Sequence, residues 1–368
     1  MARKEHLRED ALNKHTTAMW IFPMVGFVVV FNAFAGACNS IEPDQDSWES
    51  LGLEGQWVLS FAETPWGLFA GTRSTGVYKQ NASSWEAVGV TESAVAALLF
   101  IHNPTERLIA GVHRLANETT PAAAFATTDG GETWVPWDDQ LAEMHDSRFW
   151  TYSLAEDPTT PGRLFLGSSA SILRSDDGGA TWRFVFNTAD ASGPGIHSVA
   201  VEHGGASVWA GGGSALGVGR IIHSSDTGET WRVLFPAQFA EFPVRAVLVD
   251  PLNPNRIWAG MWGTANGASV IWSEDQGETW MPSLTEPVLI SDLVEGPNGL
   301  YAIGGRKEPA NGFPAGLYVY RYNGGRWTRL PTPPQIAWGL SAIVTSDGYL
   351  VVGTAGSGVW RAPISTVD

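Results

Sequence analysis

Thr127-Thr128-Asp129-Gly130-Gly131-Glu132-Thr133-Trp134 decides the fold, because the chain writes it four times. Ser175-Asp176-Asp177-Gly178-Gly179-Ala180-Thr181-Trp182, Ser224-Ser225-Asp226-Thr227-Gly228-Glu229-Thr230-Trp231 and Ser273-Glu274-Asp275-Gln276-Gly277-Glu278-Thr279-Trp280 repeat it with few changes. The shared pattern is Ser/Thr-x-Asp-x-Gly-x-Thr-Trp, with tryptophans 48, 49 and 49 residues apart. A fixed period of this size marks an architecture whose units bury their apolar faces against their neighbours. Two shortened copies flank the four, Asn81-Ala82-Ser83-Ser84-Trp85 before and Asn323-Gly324-Gly325-Arg326-Trp327 after.

Outward from the boxes, a second series counts seven. Short strands end in glycine at Gly71, Gly111, Gly167, Gly211, Gly260, Gly304 and Gly353. Each follows a turn such as Asp157-Pro158, Asn103-Pro104 or Asp347-Gly348, where proline fixes φ or glycine permits a positive one. Before each turn lies an apolar run: Val58–Phe61, Ala96–Ile101, Tyr152–Ala155, Val199–Val201, Val247–Val249, Leu289–Leu293 and Leu340–Val344. A repeat therefore supplies strand A, the glycine-ending strand B, strand C running into the box, and strand D starting at its tryptophan. This predicts an all-β, seven-bladed β-propeller with four-stranded blades. The last repeat stops after strand C near Gly358–Arg361, while Ser47-Trp48-Glu49-Ser50-Leu51 resembles an orphan strand D. The N-terminal strand is thus expected to close the last blade, since an open ring would leave sheet edges unpaired.

Within the box, the Asp and Ser/Thr side chains suit hydrogen bonds to their own turn, the glycine a positive φ, and the tryptophan packing between blades. The expected role of Asp129, Gly131, Trp134, Asp177, Gly179, Trp182, Asp226, Gly228, Trp231, Asp275, Gly277 and Trp280 is structural. The four carboxylates fall on four different blades, so no shared metal or catalytic site is read from them, and no cofactor is expected.

The pattern is identified as the Asp-box, or BNR repeat, of sialidases and related propellers. Across about residues 46–363 the repeats resemble the photosystem II assembly and stability factor family and its bacterial Asp-box relatives. That resemblance implies a non-enzymatic scaffold that binds protein, here taken more generally as a protein or glycan partner. The departure is charge, because no arginine patch stands out and a photosynthetic role is not implied. The alternative is a glycoside hydrolase of sialidase-like or xyloglucanase-like type. The Phe/Tyr-Arg-Ile-Pro motif of sialidases is absent, and the Asp-box xyloglucanases use two propellers where this chain holds one.

The net charge of −16 repels phosphate backbones and argues against nucleic acid. The single cysteine, Cys38, excludes an intrachain disulfide and has a meaning set by its place. A basic N-terminus precedes the uncharged Ala18–Phe31, and small residues, Ala35-Gly36-Ala37, run up to Cys38. Those parts make an export signal. The segment resembles the lipobox of bacterial lipoproteins, with Ala35 where leucine is common, which implies lipidation of Cys38. An uncleaved anchor of similar length and plain secretion are the other readings. The chain divides into a signal segment (1–38), a tether (39–45), the propeller (46–363) and a tail (364–368). It is expected at the bacterial cell envelope, held to the membrane through a lipid.

Propeller ligands favour the face opposite the box turns, formed by the D–A and B–C connections. The candidates there are Trp57, His113, Arg114, His145, Arg148, Trp150, His197, Arg245, Trp262, Arg306 and Trp338. Aromatic rings with a few charges suit a sugar or a peptide, and the same rings could simply plug the channel. The histidines have no paired spacing, so no metal is read from them. Asp292, an acid inside the apolar strand Ile290–Val294, is a candidate proton donor or a hydrogen-bonded structural group.

Overall fold

The computed structural model describes residues 47–364, apart from 83, 103–104, 114–122, 138–149, 170, 188–194, 214–218, 235–238, 240–241, 252, 266, 298 and 309–313. The signal segment with Cys38, the tether, residues 365–368 of the tail, the Asn103-Pro104 turn, and Arg114, His145 and Arg148 lie outside the described residues.

The described chain begins with β1 (Glu49–Gly52). Blade one is β2 (Val58–Thr64), β3 (Gly67–Thr72), β4 (Val77–Asn81) and β5 (Ser84–Gly89). Blade two is β6 (Ala94–Ile101), β7 (Arg107–His113), β8 (Ala124–Thr127) and β9 (Val135–Pro136). Blade three is β10 (Thr151–Glu156), β11 (Leu164–Ser168), β12 (Ser171–Ser175) and β13 (Arg183–Asn187). Blade four is β14 (Gly195–Val201), β15 (Val208–Gly213), β16 (Gly219–Ser224) and β17 (Arg232–Leu234). Blade five is β18 (Val244–Val249), β19 (Ile257–Ala265), β20 (Ala268–Ser273) and β21 (Met281–Leu284). Blade six is β22 (Val288–Gly296), β23 (Gly299–Lys307), β24 (Pro314–Asn323) and β25 (Arg326–Leu330). Blade seven is β26 (Gly339–Val344), β27 (Tyr349–Thr354) and β28 (Val359–Pro363), completed by β1.

All seven sheets are four-stranded and antiparallel, and the chain is a seven-bladed β-propeller. The expected closure holds. Glu49 pairs with Arg361, Ser50 with Trp360 and Gly52 with Val359, and the Glu49 carboxylate accepts from Arg361 Nε.

Burial falls from the axis outward. Every residue of β6 is buried, whereas both residues of β9 are exposed. An inner strand is covered on both faces by neighbouring blades, so it reads as an unbroken apolar run. Each blade-to-blade seam has its own apolar core. Phe69 and Val77 of blade one meet Leu98 and Phe100 of blade two, for example, and Val319 and Leu330 of blade six meet Val352 and Trp48 of blade seven.

Outer tryptophans staple successive blades. The indole Nε1 of Trp85 donates to Leu51 O, that of Trp134 to Val88 O, that of Trp327 to Ser283 Oγ, and that of Trp48 to Pro331 O. Trp48 thus plays for blade seven the part that Trp85 plays for blade one.

The four Asp-bearing turns share one network. In each, the Ser or Thr hydroxyl accepts the glycine N–H and donates to the Asp carboxylate, which also takes the later threonine N–H and hydroxyl. The same bonds recur at Asp177, Asp226 and Asp275. Gly277 sits at φ 84°, and a Cβ there would lie 2.5 Å from Leu234 and 3.1 Å from Trp209 of the preceding blade. Both the backbone conformation and the contact therefore require glycine. Among the described residues the two shortened copies do not show this network. Asn81 pairs with Ser84 and Asn323 with Arg326, so each closes a two-residue hairpin with no room for the longer turn.

Candidate functional site

Each of the seven innermost strands slips register by one residue at the same place. The unpaired residues are Leu59, Ala96, Tyr152, His197, Arg245, Ser291 and Leu340. A β-bulge re-aims a side chain out of the regular pleat. Seven bulges in register therefore place one re-aimed side chain per blade near the start of the inner strand, at the mouth formed by the D–A and B–C connections. Around this ring the chemistry is uneven. Blades three, four and five supply Tyr152, His197 and Arg245, while blades seven, one and two supply Leu340, Leu59 and Ala96.

In four blades the residue after the bulge has a separate use. Ser60 Oγ donates to Val95 O, Ser341 Oγ donates to Val58 O, and Ser198 Oγ accepts from Val247 N. Each bond crosses to the next blade. Asp292 occupies the same register in blade six, and its Oδ2 accepts from Ala342 N of blade seven at 2.9 Å. Its Oδ1 accepts from Leu293 N at 2.9 Å. Burial holds its carboxyl well above the usual range, against those two bonds. Both oxygens are committed to backbone, so the geometry fits the structural alternative for this residue.

Nine side chains link around the mouth. Trp150 stacks on His113 at 5.3 Å, and Tyr152 meets His113 edge-on at 4.8 Å and His197 at 4.9 Å. Arg245 Nη1 lies 3.2 Å from His197 Nδ1, and its Cζ lies 5.4 Å from the Trp262 ring centre. Trp262 meets Trp338 edge-on at 5.4 Å, and Trp338 meets Trp57 at 6.0 Å. Arg73 caps the Trp57 ring at 4.6 Å. Trp262 belongs to blade five and Trp338 leads into blade seven, so their contact passes over blade six. Gly305 of blade six makes that possible, since a Cβ there would lie 2.7 Å from Trp338 Cβ. One side of the mouth is apolar, with Leu59, Ala94, Leu340 and Trp338 in one cluster beside Trp57 and Trp262.

Of the expected site residues, Trp57, His113, Trp150, His197, Arg245, Trp262 and Trp338 are brought together. Arg306 is exposed on β23 and takes no part in these contacts. Tyr152 and Arg73 join the group without having been singled out in the sequence. Tyr152 hid inside an apolar strand, and its signal was the triplet it shares with its neighbours: Thr151-Tyr152-Ser153, Ile196-His197-Ser198 and Val244-Arg245-Ala246.

The electrostatics follow from burial. His113, His197 and Arg245 are buried, whereas Trp57, Trp150, Trp262 and Arg73 are half-buried and meet solvent. Burial pushes the His113 imidazole down to about 3, opposed by a bond to the Thr151 backbone. His197 falls well below its ordinary value through burial and then through the Arg245 charge. Both rings are neutral at pH 7. Burial brings Arg245 down to about 10, so it remains a cation. Burial also raises Tyr152, which stays protonated as a donor.

Solved structures similar to this chain share its fold. The GH74 xyloglucanase from Xanthomonas campestris aligns with a TM-score of 0.63 at 18% identity, over 87% of this chain and 54% of its own. This chain thus spans about half the length of that enzyme. The structure titled YCF48 bound to D1 peptide aligns with a TM-score of 0.60 at 14% identity, over 88% of this chain and 100% of its own. The extracellular domain of a one component system from B. thetaiotaomicron gives 0.62 at 14% identity, over 88% and 40%. These propellers include both enzymes and non-enzymatic proteins, and identities this low establish the fold alone. No protein-family model matches the chain, and no curated protein sequence matches it.

Proposed function

We propose that the chain is a non-enzymatic binding propeller, exported and held at the bacterial envelope, that takes a protein or glycan ligand at the mouth lined by Trp57, Trp150 and Trp262. The observation that carries this is the run of half-buried rings beside a buried cation at one end of the ring. Aromatic faces with few fixed polar groups are what ligand sites of this kind use. A similar propeller has been solved with a peptide bound, which supports protein binding as a use of the fold.

Export and anchoring rest on the sequence reading of Cys38. A metabolic palmitate label is expected on the wild type and absent from Cys38→Ser. A label that survives this substitution contradicts the lipoprotein reading.

Pull-down from the outer membrane with the intact, detergent-solubilised protein tests the binding reading. Wild type is expected to enrich a partner that Trp150→Ala does not. Equal recovery by both removes the mouth from the interaction. A glycoside hydrolase would need two facing carboxylates, about 5–10 Å apart. Asp292, with both oxygens on backbone, does not supply one of them.

A further inference from the structure

Arg174 and Arg245 are almost equally buried, 5% and 7% exposed, and differ in what meets them. Arg174 Nε and Nη2 both donate to Asp176, at 2.9 and 2.6 Å, while Nη1 reaches Glu229 at 2.8 Å. Arg256 presents the same Nε–Nη2 edge to Glu274. Arg245 spends only Nη1, on His197. Its Nε is buried without a hydrogen-bond partner among the described residues, and among them no carboxylate pairs with it.

His197 fixes this arrangement. Its Nε2 lies 3.0 Å from the Gly213 carbonyl, which can only accept, so Nε2 is assigned the proton; Arg245 Nη1 lies 3.2 Å from Nδ1 and 3.3 Å from Nε2, and Nδ1 is the nitrogen left to accept from it. The guanidinium is thereby held by one corner, and no carboxylate meets the rest of it among the described residues. A buried cation that cannot shed its proton is costly unless an anion meets it. A guanidinium pairs with a carboxylate through charge-assisted hydrogen bonds. A tetrahedral, doubly charged phosphate fits this chain less well, because the net charge of −16 repels polyanions.

We propose that the Arg245 guanidinium binds a carboxylate on the ligand, with Tyr152 as a second donor and the Trp262 ring as a wall. This rests on the mouth being the ligand face. The apolar sector on the far side, with Leu59 and Leu340, would receive the uncharged part of the same ligand.

The test is calorimetric titration and thermal unfolding of the full-length protein in detergent. Acetate probes the group alone. Glucuronate against glucose, and a tripeptide with a free against an amidated C-terminus, separate a sugar acid from a chain end. At least one carboxylate probe is expected to bind and raise the unfolding midpoint, with its neutral counterpart at least tenfold weaker. Arg245→Met is expected to lose that shift while remaining no less stable than wild type, because it removes an unpaired buried charge. Arg245→Lys keeps the charge and loses the planar guanidinium, and is expected to weaken binding at least tenfold; it also serves if Arg245→Met does not fold. The proposal is overturned if no carboxylate probe shifts the wild type, or if Arg245→Met or Arg245→Lys keeps the wild-type shift. An envelope partner captured equally by wild type and Arg245→Met would sink the carboxylate site and leave the mouth reading standing. No partner captured by either would sink the mouth reading itself.

Discussion

At Thr227 a β-branched residue sits at φ 60°, where the matching turns place Gly130 and Gly178 at φ 73°. The left-handed region costs an L-residue roughly 1–2 kcal/mol, while glycine adds about 1 kcal/mol of chain entropy to the unfolded state. Thr227→Gly is therefore expected to raise stability by about 0.5 kcal/mol in urea unfolding, and a loss would mean that the threonine side chain supports its turn. Acid acts on this residue layer in two windows. The Thr230 hydroxyl and then the Thr230 N–H hold Asp226 down to about 2. A carboxylate lowered in the folded state contributes above its unfolded value near 4, and that contribution goes as pH falls toward 2. His113 is neutral when folded, so its contribution is full above about 6.5 and declines as pH drops toward 3. Unfolding measured across pH is expected to show His113→Gln flattening the upper window and Asp226→Asn only the lower. An unchanged profile in His113→Gln would contradict its burial as a neutral ring. The Asp turns were legible in the sequence because all their bonds are local. The Tyr152, His197 and Arg245 contacts were not, because they join residues on three blades and depend on a bulge that no single segment spells out.

Strand register explains Asp292 better than its chemistry does. Serine holds the equivalent position in β2, β10, β14 and β26, and three of those four side chains, all but Ser153, bond to the next blade. Asp292→Ala would leave two buried N–H groups without acceptors, a loss of about 3 kcal/mol, whereas Asp292→Ser can recover part of it. Chemical denaturation of the two variants checks this, and equal losses would contradict the staple. The apolar runs predicted the inner strands because those strands are covered on both faces, which removes alternation and leaves continuous hydrophobic stretches. The outer strands read less clearly. β9 holds two residues and both are exposed, so only the tryptophan preceding it marked its place.

The ring as a whole depends on a join between residues more than 300 positions apart. The missing last strand and the orphan Trp48 segment foretold this join, since a closed sheet needs both. Trp48→Ala removes a large side chain from the seam of blades six and seven, together with its bond to Pro331, and is expected to cost about 3–5 kcal/mol. Thermal unfolding reads this directly, and a loss under about 1 kcal/mol would mean that the closing strand is dispensable. Function enters at the same scale, because the seven bulges converge at one end of the ring and the Asp turns occupy the other. The most direct measurement is site-specific photo-crosslinking in the intact envelope, with the photoreactive residue placed at Trp57 or Trp150 on one end and at Val135 or Glu278 on the other. Adducts with an envelope partner are predicted from Trp57 and Trp150 alone; adducts from Val135 or Glu278 with none from the mouth would contradict the account.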